Sequence, residues 1–333
     1  MEATKRQKPR KPKKTTPDGP SLVELMERYH DAESARAYLE SLRWADGVVC
    51  PHCGVVNDSA RLEGAARELG QWWCRSCDKK FTVTVGTIFE DSHIPLHKWV
   101  IAFHLIAANK KGISALSLQR MLSLGSYRSA WHMAHRIRHA MKDTSTDPSG
   151  GIVEADETYV GGKAKNAHNG KPVPPKTPVV ALVERGGKVH ARAVTNVDHE
   201  TIGPILNEMV LVNAILMTDD AQVYVGPGAQ FRAHHSVNHS ADEYVRQEKG
   251  VKAHTNTVES FNGLFKRNIV GAWHNISDRH LPRYLDEVSF RWNTRDVSDG
   301  ERMELAIRQS EGRRLPLRPM KTDAGRRESS GNA

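Results

Sequence analysis

Three carboxylates, Asp156, Asp219 and Glu259, are placed where a metal-dependent phosphoryl-transfer site would need them. Two close apolar, strand-like runs, Gly151-Ile-Val-Glu-Ala-Asp156 and Ala214-Ile-Leu-Met-Thr-Asp219. The third lies in the helical pattern Thr255-Asn-Thr-Val-Glu259-Ser-Phe-Asn-Gly-Leu-Phe-Lys266-Arg267. Hard oxygen ligands suit Mg²⁺ or Mn²⁺, and one carboxylate can bridge two ions while the others each take one. Two such cations about 3.5–4 Å apart can activate a water or a 3′-hydroxyl and stabilise the departing oxygen of an in-line phosphodiester displacement. Lys266 would neutralise developing phosphate charge or position the strand.

The helix has the periodicity this requires. Val258, Phe261, Phe265 and Ile269 form one apolar stripe expected to face a sheet. At about 100° per residue, the seven residues from Glu259 to Lys266 make nearly two turns, so both share a face beside that stripe, with Asn256 and Arg267 close by. A solvated helix face would carry the same residue types; the two strand-end aspartates upstream favour the site. Glu154 and Glu157 neighbour Asp156 and are weaker candidates, Glu157 being expected on the opposite strand face.

The surrounding pattern, residues 150–298, reads as α/β. Strands are expected near 152–156, 178–184, 188–196 and 214–218, a helix near 199–211, and a hairpin at Gly186-Gly187. An antiparallel start followed by a helix and a further buried strand is compatible with a ribonuclease H-like core, a mixed sheet flanked by helices. Such a sheet sets the ends of its first and fourth strands side by side, which would bring Asp156 to Asp219.

All four cysteines fall upstream in one C-x2-C-x20-C-x2-C array, Cys50-Pro-His-Cys53 and Cys74-Arg-Ser-Cys77. Each pair can turn two thiolates toward one point, and two pairs close a tetrahedral shell for structural Zn²⁺. His52 is read as a loop residue. Phe81-Thr-Val-Thr-Val85 alternates with period two, so the second knuckle is expected to run into a strand, as in a zinc ribbon over 47–92. A helical lead-in over 20–46 precedes it, with a capping-box pattern at Ser21 and Glu24.

Residues 93–145 follow with three helical patterns, His97 to Asn109, Ser114 to Leu122 and Tyr127 to Met141, the last two joined by a short Ser/Gly turn. In the third, Ala130, Met133, Ala134, Ile137 and Met141 make the apolar stripe, leaving Arg128, His132, His135, Arg138 and His139 toward solvent. That is the pattern of a helix-turn-helix whose basic face meets DNA, a reading favoured over a three-helix spacer because the basic face falls on the helix after the turn.

A net charge of +9 in 333 residues and a pI near 9.4 favour a polyanionic partner, with nucleic acid the default. No apolar run approaches the roughly 20 residues needed to span a bilayer, so the chain is expected to be cytoplasmic, without a membrane partner. Residues 1–19 and 299–333 have the composition of disordered tails, the first strongly basic. His234, His235 and His239 lack metal spacing and are read as polar-loop or DNA-contacting residues; Trp273 and Trp292 are read as packing residues.

From about residue 20 to 295 the chain resembles the DDE transposases of bacterial insertion sequences, in the branch with an N-terminal zinc ribbon. The resemblance is carried by the two cysteine pairs, Trp73, Phe81-Thr-Val-Thr-Val-Gly-Thr-Ile-Phe89, Asp156-Glu-Thr-Tyr-Val-Gly-Gly162, Thr218-Asp219 with Tyr224, and His254-Thr-Asn-Thr-Val-Glu259 through Lys266-Arg267. It implies that Asp156, Asp219 and Glu259 form the metal-binding triad, and that the protein binds element ends and target DNA and cleaves and joins strands. Asp219 is preferred to Asp220 because it follows Thr218 directly. Some members carry Asn as the third residue; this sequence keeps Glu. Joining two ends in one assembly implies a homo-oligomer. The alternatives are a non-catalytic DNA-binding regulator and a metal nuclease that hydrolyses without joining.

Overall fold

The structure is a computed structural model that describes residues 19–145, 147–161, 176–238, 245–248 and 250–317. The basic tail, apart from Gly19, residues 318–333 and His239 lie outside the described residues.

Helices α1 (Leu22–Arg28) and α2 (Ala32–Arg43) open the chain. Ser21 and Glu24 form the capping box their spacing suggests, and Asp31 caps α2 through the Ser34 amide. Strand β1 (Ser59–Arg61), the short α3 (Ala65–Glu68), β2 (Trp72–Cys74) and β3 (Lys79–Phe81) follow, the strands pairing antiparallel in the order β1-β2-β3. The expected strand over residues 81–85 is not formed beyond Phe81. Turns close between Val85 and Thr82 and between Thr87 and Thr84, and Arg43 takes the carbonyls of Val83 and Val85 at 2.7 and 2.8 Å. The alternation there records which turn residues pack inward, as Val83 does, rather than a pleat.

Three helices come next, α4 (Leu96–Ala108), α5 (Ala115–Met121) and α6 (Tyr127–Ala140), the latter two capped by Ser114 and Ser126. The sheet domain comprises β4 (Ile152–Val160), β5 (Thr177–Glu184), β6 (Val189–Ala193), α7 (His199–Met209), β7 (Ile215–Asp219), the one-turn α8 (Val225–Gly228), β8 (Ala233–Val237), the hairpin β9 (Arg246–Glu248) and β10 (Val251–Ala253), α9 (Asn256–Asn268) and α10 (Leu281–Asn293). Five strands form one mixed sheet in the order β6-β5-β4-β7-β8; β4 runs antiparallel to β5 and parallel to β7. Alternate residues of β5 feed two cores: Val179, Ala181 and Val183 pack with α9 and α10, and Val180 and Leu182 pack with α7. A sheet buried on both faces is held rigidly, which is what a site built on its strands needs.

Two expectations are corrected here. The segment from 299 is not tail from its first residue: α11 (Asp299–Arg308) starts on a Ser298–Glu301 capping box and packs Met303, Ala306 and Ile307 against α2 and α4. Its abundance of charge masks an i, i+3, i+4 apolar stripe. The basic face of α6 is also not solvated as a whole, for His135 and Arg138 are each 1% exposed. Arg138 Nε donates to Glu287 on α10 at 2.7 Å, and its guanidinium lies 4.2 Å from the Tyr284 ring centroid. His135 stacks among Trp131, His280 and Tyr284; burial, then the neighbouring Arg138 charge, push its pKa down to about 2, so it is neutral. The helix is covered on two sides, and a single-sided stripe could not reveal the second. Arg128 is exposed, while His132 and His139 are half-buried.

Candidate active site and metal centre

The four cysteine sulfurs lie within 4.8 Å of one another, with Cys50 Sγ to Cys77 Sγ and Cys53 Sγ to Cys74 Sγ both 3.7 Å. A tetrahedron with Zn–S bonds of about 2.3 Å has S···S edges of about 3.8 Å, so the shell has the size zinc requires. Cys74 ends β2, while Cys50 and Cys53 flank a tight turn closed by the Gly54 N–H on the Cys50 carbonyl. With four protein ligands no position is left for a substrate, which makes the centre structural. His52 stays outside it, against the Lys80 carbonyl at 3.3 Å.

The carboxylates are assembled by β4, β7 and α9. Parallel register pairs Glu154 with Met217, so two residues further on Asp156 comes level with Asp219. Asp219 ends β7, whereas Asp156 lies midway along β4, which continues to Val160 in its pairing with β5 instead of ending at 156 as expected. Period-two alternation turns Asp156 toward α9, where the Asn262 amide donates to its Oδ2 at 2.8 Å. Burial is the main cause that raises the Asp156 pKa; the Asn262 bond opposes it, and the charges of Asp219 and Glu259 add to the rise. Those mutual effects place the three acids in one electrostatic neighbourhood. Asp219 is half-buried and its Oδ1 accepts from the Ala221 N–H at 3.1 Å, whereas Asp220 is exposed. Glu259 sits in the first turn of α9 and accepts from the Thr255 hydroxyl at 2.7 Å.

The remaining candidates separate cleanly. Glu157 points to the other face, as its position in the strand predicts, and accepts from the buried Tyr224 hydroxyl at 2.7 Å; burial raises its pKa. Glu154 is fully buried and bound by donors of Arg185, Thr257 and Val258. Lys266 and Arg267 are exposed on α9. Val258, Phe261 and Phe265 are buried against the sheet as the stripe requires. His234 bonds the Thr218 hydroxyl at 2.9 Å and His235 faces Glu248 at 3.1 Å, while Trp273 is buried and Trp292 packs against the same core.

Asn262 was not singled out by sequence reasoning. Its signal was available: it lies three residues after Glu259, hence on the same helix face. Its Oδ1 is buried without a partner among the described residues. Clustered all-oxygen donors, mutual charge repulsion and an orphaned acceptor fit a hard divalent cation with its water shell. The four cysteines are the only described group of three or more Cys, His, Asp or Glu donors that converges on a single ion.

The chain also matches known proteins in two separate stretches. Residues 148–293 match the ISXO2-like transposase domain, and residues 30–80 match the transposase zinc-ribbon domain. A protein described as an uncharacterized protein in transposable element ISH50 of Halobacterium salinarum is 27% identical over 270 residues, which cover 76% of this chain and 88% of that protein. The matched domain holds all three carboxylates and the matched ribbon all four cysteines, so the chain carries a transposase zinc-ribbon domain followed by an ISXO2-like transposase domain.

Proposed function

We propose that the protein binds the ends of its own mobile element and, with Mg²⁺ or Mn²⁺ held by Asp156, Asp219 and Glu259, cleaves DNA and joins it to a target. The observation that carries this reading is that Asp156 midway along β4, Asp219 at the end of the parallel β7 and Glu259 in the first turn of α9 share one electrostatic neighbourhood. The sheet order, three antiparallel strands followed by two parallel ones, supports a ribonuclease H-like core.

Divalent cations bound there would stabilise charge on the attacking and departing oxygens of a phosphodiester. The chain supplies the rest. Asn262 holds one oxygen of Asp156 and leaves the other available to ligate. Thr255 orients Glu259 from the turn that starts its helix. Lys266 lies about 10.5 Å further along the helix, which suits it to a neighbouring phosphate of the same strand rather than the reacting one. Arg128 and Arg267 are exposed cations that extend a phosphate-binding surface, whereas His135 and Arg138 are withdrawn from it. Two element ends joined in one complex call for more than one copy of the chain.

The test is joining of a labelled, pre-cut element end to plasmid DNA with Mg²⁺, comparing native protein with Asp156→Ala, Asp219→Ala and Glu259→Ala. The native protein joins the strands, and each variant binds the end but falls to background. Hydrolysis without joining by the native protein would make it a nuclease. Undiminished function of the variants would make it a DNA-binding regulator.

A further inference from the structure

Helix α9 begins without the usual local cap. Its N-cap residue, Thr255, makes no side-chain bond to the first-turn amides and donates its hydroxyl to Glu259 instead. Those amides are served from another element. Glu154 Oε2, on β4, accepts from the N–H of Thr257 at 2.7 Å and of Val258 at 3.0 Å, the second and third helical positions that a capping side chain normally satisfies. Its Oε1 accepts from the Thr257 hydroxyl at 2.9 Å and from Arg185 Nε at 2.6 Å. Arg185 in turn donates to the carbonyls of Lys252 and His254 at 2.7 and 2.9 Å, so the segment entering the helix is held by the same pair.

We propose that Glu154, with Arg185, is a positioning residue that fixes the rotation and height of α9 and thereby sets Glu259 against Asp156. The inference rests on the reading of Asp156, Asp219 and Glu259 as the cation-binding set. Glu154 and Asp156 are two residues apart on one face of one strand, and each grips the same helix: Glu154 at Thr257 and Val258, Asp156 at Asn262. Glu259 lies between these two anchors. Any slip of α9 along β4 would therefore move Glu259 relative to Asp156. A misplacement of about 1 Å at reacting groups can cost on the order of 10²-fold in rate. An ionised side chain suits the role, because a helix N-terminus favours negative charge and the Arg185 guanidinium offsets its burial. Glu154 itself is too fully engaged, and too deeply buried, to ligate a cation.

Glu154→Gln keeps the side-chain shape but removes the charge and one acceptor. In metal-free protein, hydrogen exchange at the Thr257 and Val258 amides is expected to quicken about tenfold while the strands of the sheet keep their protection. Calorimetric Mn²⁺ affinity is expected to fall about 10–100-fold, as when groups orienting metal ligands are lost, with end-DNA affinity held. Arg185→Lys, which keeps a charge but loses the fork, moves both quantities the same way by less and serves if Glu154→Gln does not fold. Unchanged exchange and unchanged Mn²⁺ affinity, with native binding abolished by Asp156→Ala, would overturn the positioning role. Native protein whose Mn²⁺ binding is indifferent to Asp156→Ala would overturn the cation-site reading, and the amide exchange would then decide the role of Glu154 alone.

Discussion

At Asp156, local geometry and electrostatics pull in opposite directions. Strand alternation directs the carboxylate toward α9 and toward two further acids, and burial there disfavours its charged form. A carboxyl whose folded pKa lies above its unfolded value of 3.8 favours the folded state while protonated. That contribution is complete below the unfolded pKa and is lost as pH rises through the folded one. Asp156→Asn is therefore expected to raise the melting temperature in EDTA at pH 7, with the difference vanishing toward pH 3; a melting curve at each pH checks this. Mg²⁺ should then stabilise the native protein and not the variant. That Asp156, Asp219 and Glu259 become neighbours was legible because strand and helix faces follow from short-range periodicity. The bond of Asn262 to Asp156 and the bonds of Glu154 were not, since a hydrogen bond across 103 or 106 residues leaves no local pattern.

At the scale of elements, α6 marks where periodicity stops being informative. Its apolar stripe identified the helix, yet the opposite side is covered by α10, where Arg138 and Glu287 form a pair with side chains 2% and 0% exposed. Arg291, one turn further along α10, lies 3.4 Å from the second Glu287 oxygen, so the carboxylate is flanked by two guanidinium groups. Removing one member leaves the other charged and buried, which costs about 3–5 kcal/mol. Arg138→Met is expected to lower the urea midpoint accordingly, and a change below about 1 kcal/mol would show that the pair contributes little. The helix thus acts as a strut between the three-helix region and the sheet domain. In α11 the opposite error arises: charge-rich composition suggests a tail, while the Ser298–Glu301 cap and three inward residues make a helix.

At the scale of the whole molecule, one hydrophobic core runs from α1 and α2 through the cysteine module to α4, α6 and α11. Cys50 and Cys74 are part of it, beside Trp44 and Phe81. The zinc centre is accordingly a support of the N-terminal half rather than of a tethered module. Native protein should bind one zinc per chain, and chelation or Cys74→Ser should speed hydrogen exchange in α2 and α4 as well as in β1 to β3. Structural zinc in small domains binds with apparent energies of about 10–16 kcal/mol, comparable to the whole stability of a typical domain. Exchange confined to the ribbon strands would show the core to be self-supporting. No helix among the described residues is long and apolar enough to cross a membrane. By itself the sequence determined the zinc shell, much of the strand and helix framework and the placing of three acids on neighbouring elements, because metal spacing and side-chain periodicity are local properties of the chain. Only the tertiary structure decided which basic side chains are withdrawn into packing, which charged segment becomes the last helix, and which buried glutamate holds α9 against β4, because those depend on partners far away in the chain.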